Sequence, residues 1–101
     1  MTGAVFAEDR RLIILQALLE VPGFTLNEDT LRRVLEHFGH RVGGDIVRAD
    51  MTWLGEHHLI SLGFLGTARG EVWLAKLLSA GEDTARGRHH PGVARAAAPR
   101  A

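Results

Sequence analysis

Histidine is the residue type in this sequence best suited to metal binding, and its six copies fall into three pairs. Two residues separate His37 from His40, whereas His57 and His58, and likewise residues 89–90, are adjacent. A structural zinc site needs about four converging ligands, and this chain has no cysteine to supply any of them. We therefore expect surface and helix-end histidines, with no metal site and no cofactor.

Catalytic arrangements are also missing from the sequence. The absence of cysteine excludes a thiol nucleophile, and no nucleophile elbow is present that would support a Ser-His-Asp triad. Gly63, Gly66 and Gly70 punctuate two short apolar runs, whereas a phosphate-binding loop opens a helix directly after a strand. These observations predict that the protein is not an enzyme.

Arginine is informative because its guanidinium pairs with phosphates and with the edges of bases. Residues 1–84 hold eight basic and twelve acidic side chains, a net charge of −4. Residues 85–101 hold four arginines and no acid, a net charge of +4. A basic end on a mildly acidic body can contact a polyanion, and a solvated chain end is the alternative interpretation.

Length and composition are those of one ordinary globular domain. The 101 residues are 46% hydrophobic and 24% charged, which favours a single folded core. The apolar run from Leu12 to Leu15 ends at Gln16, too short to cross a membrane, and the beginning of the sequence has no signal-peptide pattern. We therefore expect a cytoplasmic protein that does not associate with membranes.

The first predicted helix runs from Glu8 to about Glu20 and ends before Pro22. It is apolar on more than one stripe, because Ile13 and Ala17 fall on the shoulder opposite its main apolar side. Two interpretations remain open. Either the helix is sunk in its own core, or its second face packs on a second subunit.

Two further helices follow. The first of these opens with Asn27 as N-cap and ends at Gly39, and the next runs from about Asp45 to His57. Apolar residues at helical spacing define their inward faces. Across the three helices and the strand that follows, the predicted core residues are Leu15, Leu19, Leu31, Leu35, Phe38, Val47, Met51, Leu54 and Leu62.

The period then changes to that of strands. Two apolar runs, 59–65 and 71–77, flank a glycine-bracketed turn at 66–70, which predicts a β-hairpin. A short last helix is predicted from Leu78 to about Arg86. Helix, helix, turn, helix and hairpin form the order of a mainly α fold with a β-hairpin (α+β), the winged helix-turn-helix. We predict a winged-helix domain over residues 1–87 and a flexible basic C-terminal tail over residues 88–101.

Several short strings of residues in this sequence resemble those of a known protein family. The strings are Phe6-Ala7-Glu8, Arg10-Arg11-Leu12, Ile14-Leu15, Pro22-Gly23, Gly39-His40, Val47-x-x-Asp50-Met51-x-Trp53-Leu54, Gly87-Arg88 and Pro91-Gly92-Val93. Together they resemble the small winged-helix proteins of Mu-like phages and prophages. The resemblance implies a fold similar to the dimeric regulators of the arsenic-repressor and multiple-antibiotic-resistance types. This sequence departs from the family pattern at Gly43, in place of a capping serine, and at His58, in place of a helix-ending glycine.

Winged helices commonly bind DNA, and the leading prediction is a DNA-binding phage or prophage transcriptional regulator with double-stranded DNA as partner. The outward face of the third helix offers few base-reading groups, since acids dilute it. The candidate DNA contacts are Arg41, Arg48, Thr52, Arg69, Arg86 and Arg88.

The alternative prediction is a non-enzymatic protein-interaction module of phage assembly or host takeover, with a phage or host protein as partner. Under either function we expect a homodimer held by the first helix with help from the C-terminal segment. The candidate interface residues are Ile13, Ala17, Ile46 and Trp53.

Overall fold

A computed structural model describes residues 2–96. Over these residues the chain forms a mixed α+β fold of four α-helices and one three-stranded antiparallel sheet. The elements are α1 (Thr2–Glu20), a 3-10 turn (Pro22–Phe24), β1 (Thr25–Asn27), α2 (Glu28–His37), α3 (Gly44–Glu56), β2 (Ile60–Thr67), β3 (Gly70–Leu77) and α4 (Ser79–Ala85). None of the helices in this part of the chain combines the length and the apolar character needed to cross a membrane.

The sheet has the strand order β1-β3-β2. The predicted hairpin is confirmed: β2 and β3 pair from Ile60 opposite Leu77 to Thr67 opposite Gly70, so the turn consists of two residues. Strand β1 was not predicted. With three residues it is too short to show an alternating pattern, and it forms because the turn after α1 carries it alongside β3.

The helix boundaries follow their local signals with one exception. Helix α1 starts at Thr2, six residues before its predicted start at Glu8. The intervening residues include good helix formers, so the helix continues through them, but they carry no capping signal that would have marked its start. Helix α2 begins as predicted, and the Asn27 side chain accepts a hydrogen bond from the Thr30 backbone N–H at 2.8 Å. Gly43 is the N-cap of α3 and offers no side-chain bond.

Helices α2, α3 and α4 end in the same backbone motif. The residue after each C-cap is left-handed: Gly39 (φ 94°), His58 (φ 58°) and Gly87 (φ 122°). In each case the following backbone N–H bonds to a carbonyl five residues earlier, as in Leu59 N–H to Leu54 O at 3.0 Å. This is the Schellman arrangement, in which glycine avoids the steric cost that a side chain carries. His58 therefore occupies a glycine position.

A single core lies where α1, α2 and α3 meet the sheet. The prediction is confirmed for the fully buried residues Leu15, Leu31, Leu35, Val47, Met51 and Leu54. Leu19 and Leu62 are partly buried at its edge. The prediction is wrong for Phe38, which is 62% exposed because α2 ends at His37 and the C-cap residue projects past the core.

The segment 88–96 is the described part of the predicted C-terminal tail. It lies along α1, where Arg11 Nη1 donates to the Gly92 carbonyl at 2.8 Å and the Ala94 N–H donates to the Glu8 carbonyl at 3.1 Å. Val93 is buried in the core. A single large apolar residue between Gly92 and Ala94 was too weak a signal to predict this packing. The rest of the predicted tail, residues 97–101, lies outside the described residues.

Candidate functional site

Arg48, the candidate DNA-contacting arginine of α3, is held by Glu28 at the start of α2. Its Nε lies 2.7 Å from Glu28 Oε1 and its Nη2 lies 2.9 Å from Oε2. Nη2 also donates to the Glu71 carbonyl at 3.0 Å, while Glu28 Oε2 accepts the Trp73 backbone N–H at 2.7 Å. One ion pair thus ties α2 and α3 to strand β3 of the hairpin.

The electrostatics of this pair favour both charged forms. The hydrogen bond from Arg48 lowers the pKa of Glu28 below its usual value and outweighs the opposing effect of burial, with help from the Trp73 N–H. The Arg48 guanidinium also lies over the Trp73 ring, 4.8 Å from its centre. The guanidinium thus already faces a carboxylate, a carbonyl and an indole, which leaves less of it available to contact a base edge.

The remainder of the outward face of α3 is acidic or small. Asp45, Ala49, Thr52 and Glu56 are exposed there. Thr52 contacts Arg48, because its Oγ1 donates to the Arg48 carbonyl at 2.8 Å. This face therefore carries two carboxylates, and its arginine is paired with the carboxylate of Glu28. Such a surface is poorly matched to the negatively charged phosphates that line the DNA major groove.

The other predicted DNA contacts lie on separate elements. Arg41 precedes α3 and is 90% exposed, with its Nε 3.8 Å from a Glu36 carboxylate oxygen. Arg69 is exposed in the hairpin turn. At the end of α4, two arginines pair with acids of the same helix: Arg86 with Glu82 at 3.1 Å, and Arg88 with Asp83 at 3.7 Å. Exposed pairs of this kind are weak, so these arginines can exchange partners readily.

Of the predicted interface residues, Ile13 and Ala17 line a groove between α1 and α2 with a volume of about 790 Å³. Phe38 stands at the end of this groove. We call it the α1–α2 groove. Ile46 lies apart from it on α3 and is partly exposed.

Trp53 packs against other parts of its own chain. Its ring stacks on His57 at 3.7 Å between centroids, and the Arg11 guanidinium lies 4.0 Å from its centre. His90 meets the ring edge at 5.9 Å, and a Cβ added to Gly92 would collide with the indole. The C-terminal segment thus covers a residue that the sequence analysis assigned to the interface.

The histidines lie in different surroundings. His40 Nε2 is 2.6 Å from Asp9 Oδ2, and His57 Nδ1 is 2.8 Å from the Trp53 carbonyl oxygen. Among residues 2–96, no three or more histidine, aspartate or glutamate side chains cluster as metal ligands would.

Comparison with known proteins places the chain in a phage lineage. It is 36% identical over 101 residues, the full length of both chains, to the uncharacterized protein gp26 of Escherichia phage Mu. The chain belongs to the gp26 family. An uncharacterized protein of Haemophilus influenzae is 29% identical over 75 residues, which cover 69% of this chain and 72% of that protein. No family model and no solved structure matches the chain. The predicted resemblance to proteins of Mu-like phages is therefore confirmed.

One feature of this gp26-family member was missed by the sequence analysis, although a signal was present. Asp50 is buried on the inward face of α3 and pairs with Arg10 of α1. Both residues belong to the strings that carry the family resemblance. Asp50 shares the helical spacing of Val47 and Leu54, which marks it as an inward position. An acid at such a position calls for a buried cationic partner.

Proposed function

We propose that this phage protein is a non-enzymatic winged helix that acts as a homodimer through protein–protein contacts, as an interaction module of phage assembly or host takeover. The succession of α2, a short turn, α3 and the β2–β3 hairpin supports the winged helix-turn-helix interpretation. Membership of the gp26 family supports the phage setting.

The pairing of Arg48 with Glu28 is the observation that carries the choice of protein over DNA. In a DNA-reading winged helix, the exposed face of the third helix supplies cationic and amide groups to base edges. Here the cation of that face is satisfied within the protein and acids flank it. The α1–α2 groove, by contrast, offers the apolar surface that protein partners cover.

DNA binding, with a role in transcriptional regulation, is the second candidate. It is favoured by exposed arginines outside the Glu28–Arg48 pair, among them Arg69 at the tip of the hairpin and Arg41 before α3. Hairpin wings often contact the DNA backbone, so such binding would depend on phosphates and salt rather than on sequence.

Fluorescence anisotropy of labelled mixed-sequence duplexes, titrated at several salt concentrations, separates the two candidates. We expect no sequence-selective binding, and any weak binding at low salt should lose about one unit of log–log salt slope in Arg69→Ala. Arg48→Ala should leave that binding unchanged. Sequence-selective binding that Arg48→Ala abolishes would overturn the proposal in favour of DNA recognition by α3.

A further inference from the structure

The α1–α2 groove is apolar along its floor and open to solvent. Ile13 and Ala17 form its α1 wall, and Val34 and Phe38 form its α2 wall. Phe38 belongs to the apolar stripe of α2, but only the inner members of that stripe, Leu31 and Leu35, are fully buried. The outer half of the stripe therefore lacks a covering layer within residues 2–96.

Helix α1 extends this apolar surface beyond the groove. At 100° per residue, Phe6, Ile13 and Ala17 fall within about 40° of one another, on a stripe separate from the buried Leu15 and Leu18. Phe6 is largely exposed at the outer end of this stripe. Two faces of α1 are thus apolar, and the core covers one of them.

Charged residues border the groove with opposite signs on its two walls. Asp9 and Glu20 belong to the α1 wall, and Arg33 belongs to the α2 wall. Arg33 pairs with Asp29 at 3.2 Å, but both side chains are more than half exposed and so remain available to a partner. A surface with one acidic and one basic wall complements a second copy of itself, as a two-fold interface requires.

We infer that the α1–α2 groove is the surface on which a second copy of this chain docks, with α1 of each copy lying over α2 of the other. This inference rests on the proposed homodimer and locates its interface. Phe38 and Phe6 of each copy would be covered by the other copy, and each acidic α1 wall would face a basic α2 wall.

The order of charges along the groove selects this arrangement. The helices are antiparallel: Asp9, early in α1, contacts His40 just after α2, and a short connection joins the end of α1 to the start of α2. A two-fold axis along the groove sets Glu20 near Arg33 of the other copy. An axis across the groove would instead stack α1 on α1 and bring Asp9 of one copy towards Glu20 of the other, which is repulsive.

Sedimentation equilibrium of the full chain tests the assignment. We expect wild type to be a dimer of about 22 kDa, twice the 11.0 kDa chain mass, at about 100 µM. Ala17→Glu and Phe38→Glu should each raise the dimer dissociation constant more than about tenfold, because each buries a charge. Leu65→Glu is the matched control, since Leu65 is 54% exposed on the hairpin and its variant should remain dimeric. Circular dichroism checks that every variant is folded.

A charge exchange tests the orientation of the two copies. Glu20→Arg and Arg33→Glu should each weaken the dimer, and the double variant should regain most of the lost affinity because the pair is restored with reversed signs. A dimer that Ala17→Glu and Phe38→Glu leave intact would overturn the groove assignment while the homodimer itself stands. A wild-type monomer would overturn both, and the DNA titration would remain a separate test of the partner class.

Discussion

Arg10 of α1 and Asp50 of α3 form an ion pair inside the protein. Arg10 Nε lies 2.7 Å from Asp50 Oδ2, and Nη2 lies 3.2 Å from Oδ1. Asp50 is 3% exposed. The pair fixes how α1 crosses α3, and so the direction in which the stripe of Phe6, Ile13 and Ala17 faces. A buried pair of this kind is costly to break, because the charge that remains is then neither paired nor hydrated.

Asp50→Ala should therefore lower the free energy of unfolding by about 3–5 kcal/mol, since it leaves the Arg10 guanidinium buried without its carboxylate. Urea unfolding followed by circular dichroism measures the change. Asp45→Ala removes an exposed acid from the first turn of the same helix and serves as the control, with an expected change in stability of less than about 1 kcal/mol. Equal effects of the two substitutions would show that the Arg10 pair contributes little.

The pair of Glu28 with Arg48 predicts a pH-dependent contribution to stability. The pKa of Glu28 in the folded protein lies below its ordinary value of 4.5. The stabilisation is therefore complete above the unfolded-state pKa and is lost as the pH falls through the folded-state pKa. Because Arg48 is partly exposed, Glu28→Gln should cost about 1 kcal/mol near pH 7.

Urea unfolding at a series of pH values checks this. The stability difference between wild type and Glu28→Gln should stay constant from about pH 8 to about pH 6 and shrink below the usual glutamate range. Glu36→Gln, which replaces an exposed acid on the same helix, is the control and should change the stability little near pH 7. A Glu28→Gln difference that persists in acid would contradict the ionic role of Glu28.

The left-handed backbone of residues 39 and 58, which follow α2 and α3, predicts opposite changes in stability for two substitutions. His58→Gly should stabilise the protein by about 1 kcal/mol, because the backbone at residue 58 already adopts a conformation that glycine prefers. Gly39→Ala, at the equivalent position after α2, should destabilise it by a similar amount, since a Cβ there meets no neighbour and only the backbone conformation opposes it. Thermal unfolding of both variants measures the effects, and destabilisation by His58→Gly would refute the argument.

Gly92 is predicted to hold the C-terminal segment against Trp53. A Cβ at this position would collide with the indole, and the backbone has a positive φ of 88°. Gly92→Ala should displace the segment and shift tryptophan emission to longer wavelength in a Trp73→Phe background, where Trp53 alone reports. Pro91→Ala, at an exposed neighbouring position, should leave the emission unchanged. An unshifted spectrum in Gly92→Ala would show that the segment does not depend on this contact.

The sequence predicted those parts of the fold that local periodicity determines. The apolar stripes of α2 and α3, the Asn27 cap and the hairpin each depend on residues that are close together in the sequence. Phe38 was misjudged because periodicity does not reveal that α2 ends at His37, so that the next side chain projects past the core. Strand β1 and the packing of Val93 depend on contacts distant in sequence, so no local pattern marks them.

The candidate site could be predicted only in part for a related reason. Arg48 and Thr52 were correctly placed on the outward side of α3 by their spacing. The partner of Arg48, Glu28, lies 20 residues away in the first turn of another helix. Residue type and spacing thus located the arginine but did not reveal that its charge is already paired.

Sedimentation velocity of the full chain, alone and with a labelled mixed-sequence duplex, tests the central claim most directly because it reports protein mass and DNA association together. At about 100 µM protein and about 150 mM salt, we predict a species of twice the chain mass and a duplex that sediments as it does without protein. A protein that sediments at the mass of one chain, or a duplex that moves with the protein at this salt concentration, would contradict the account.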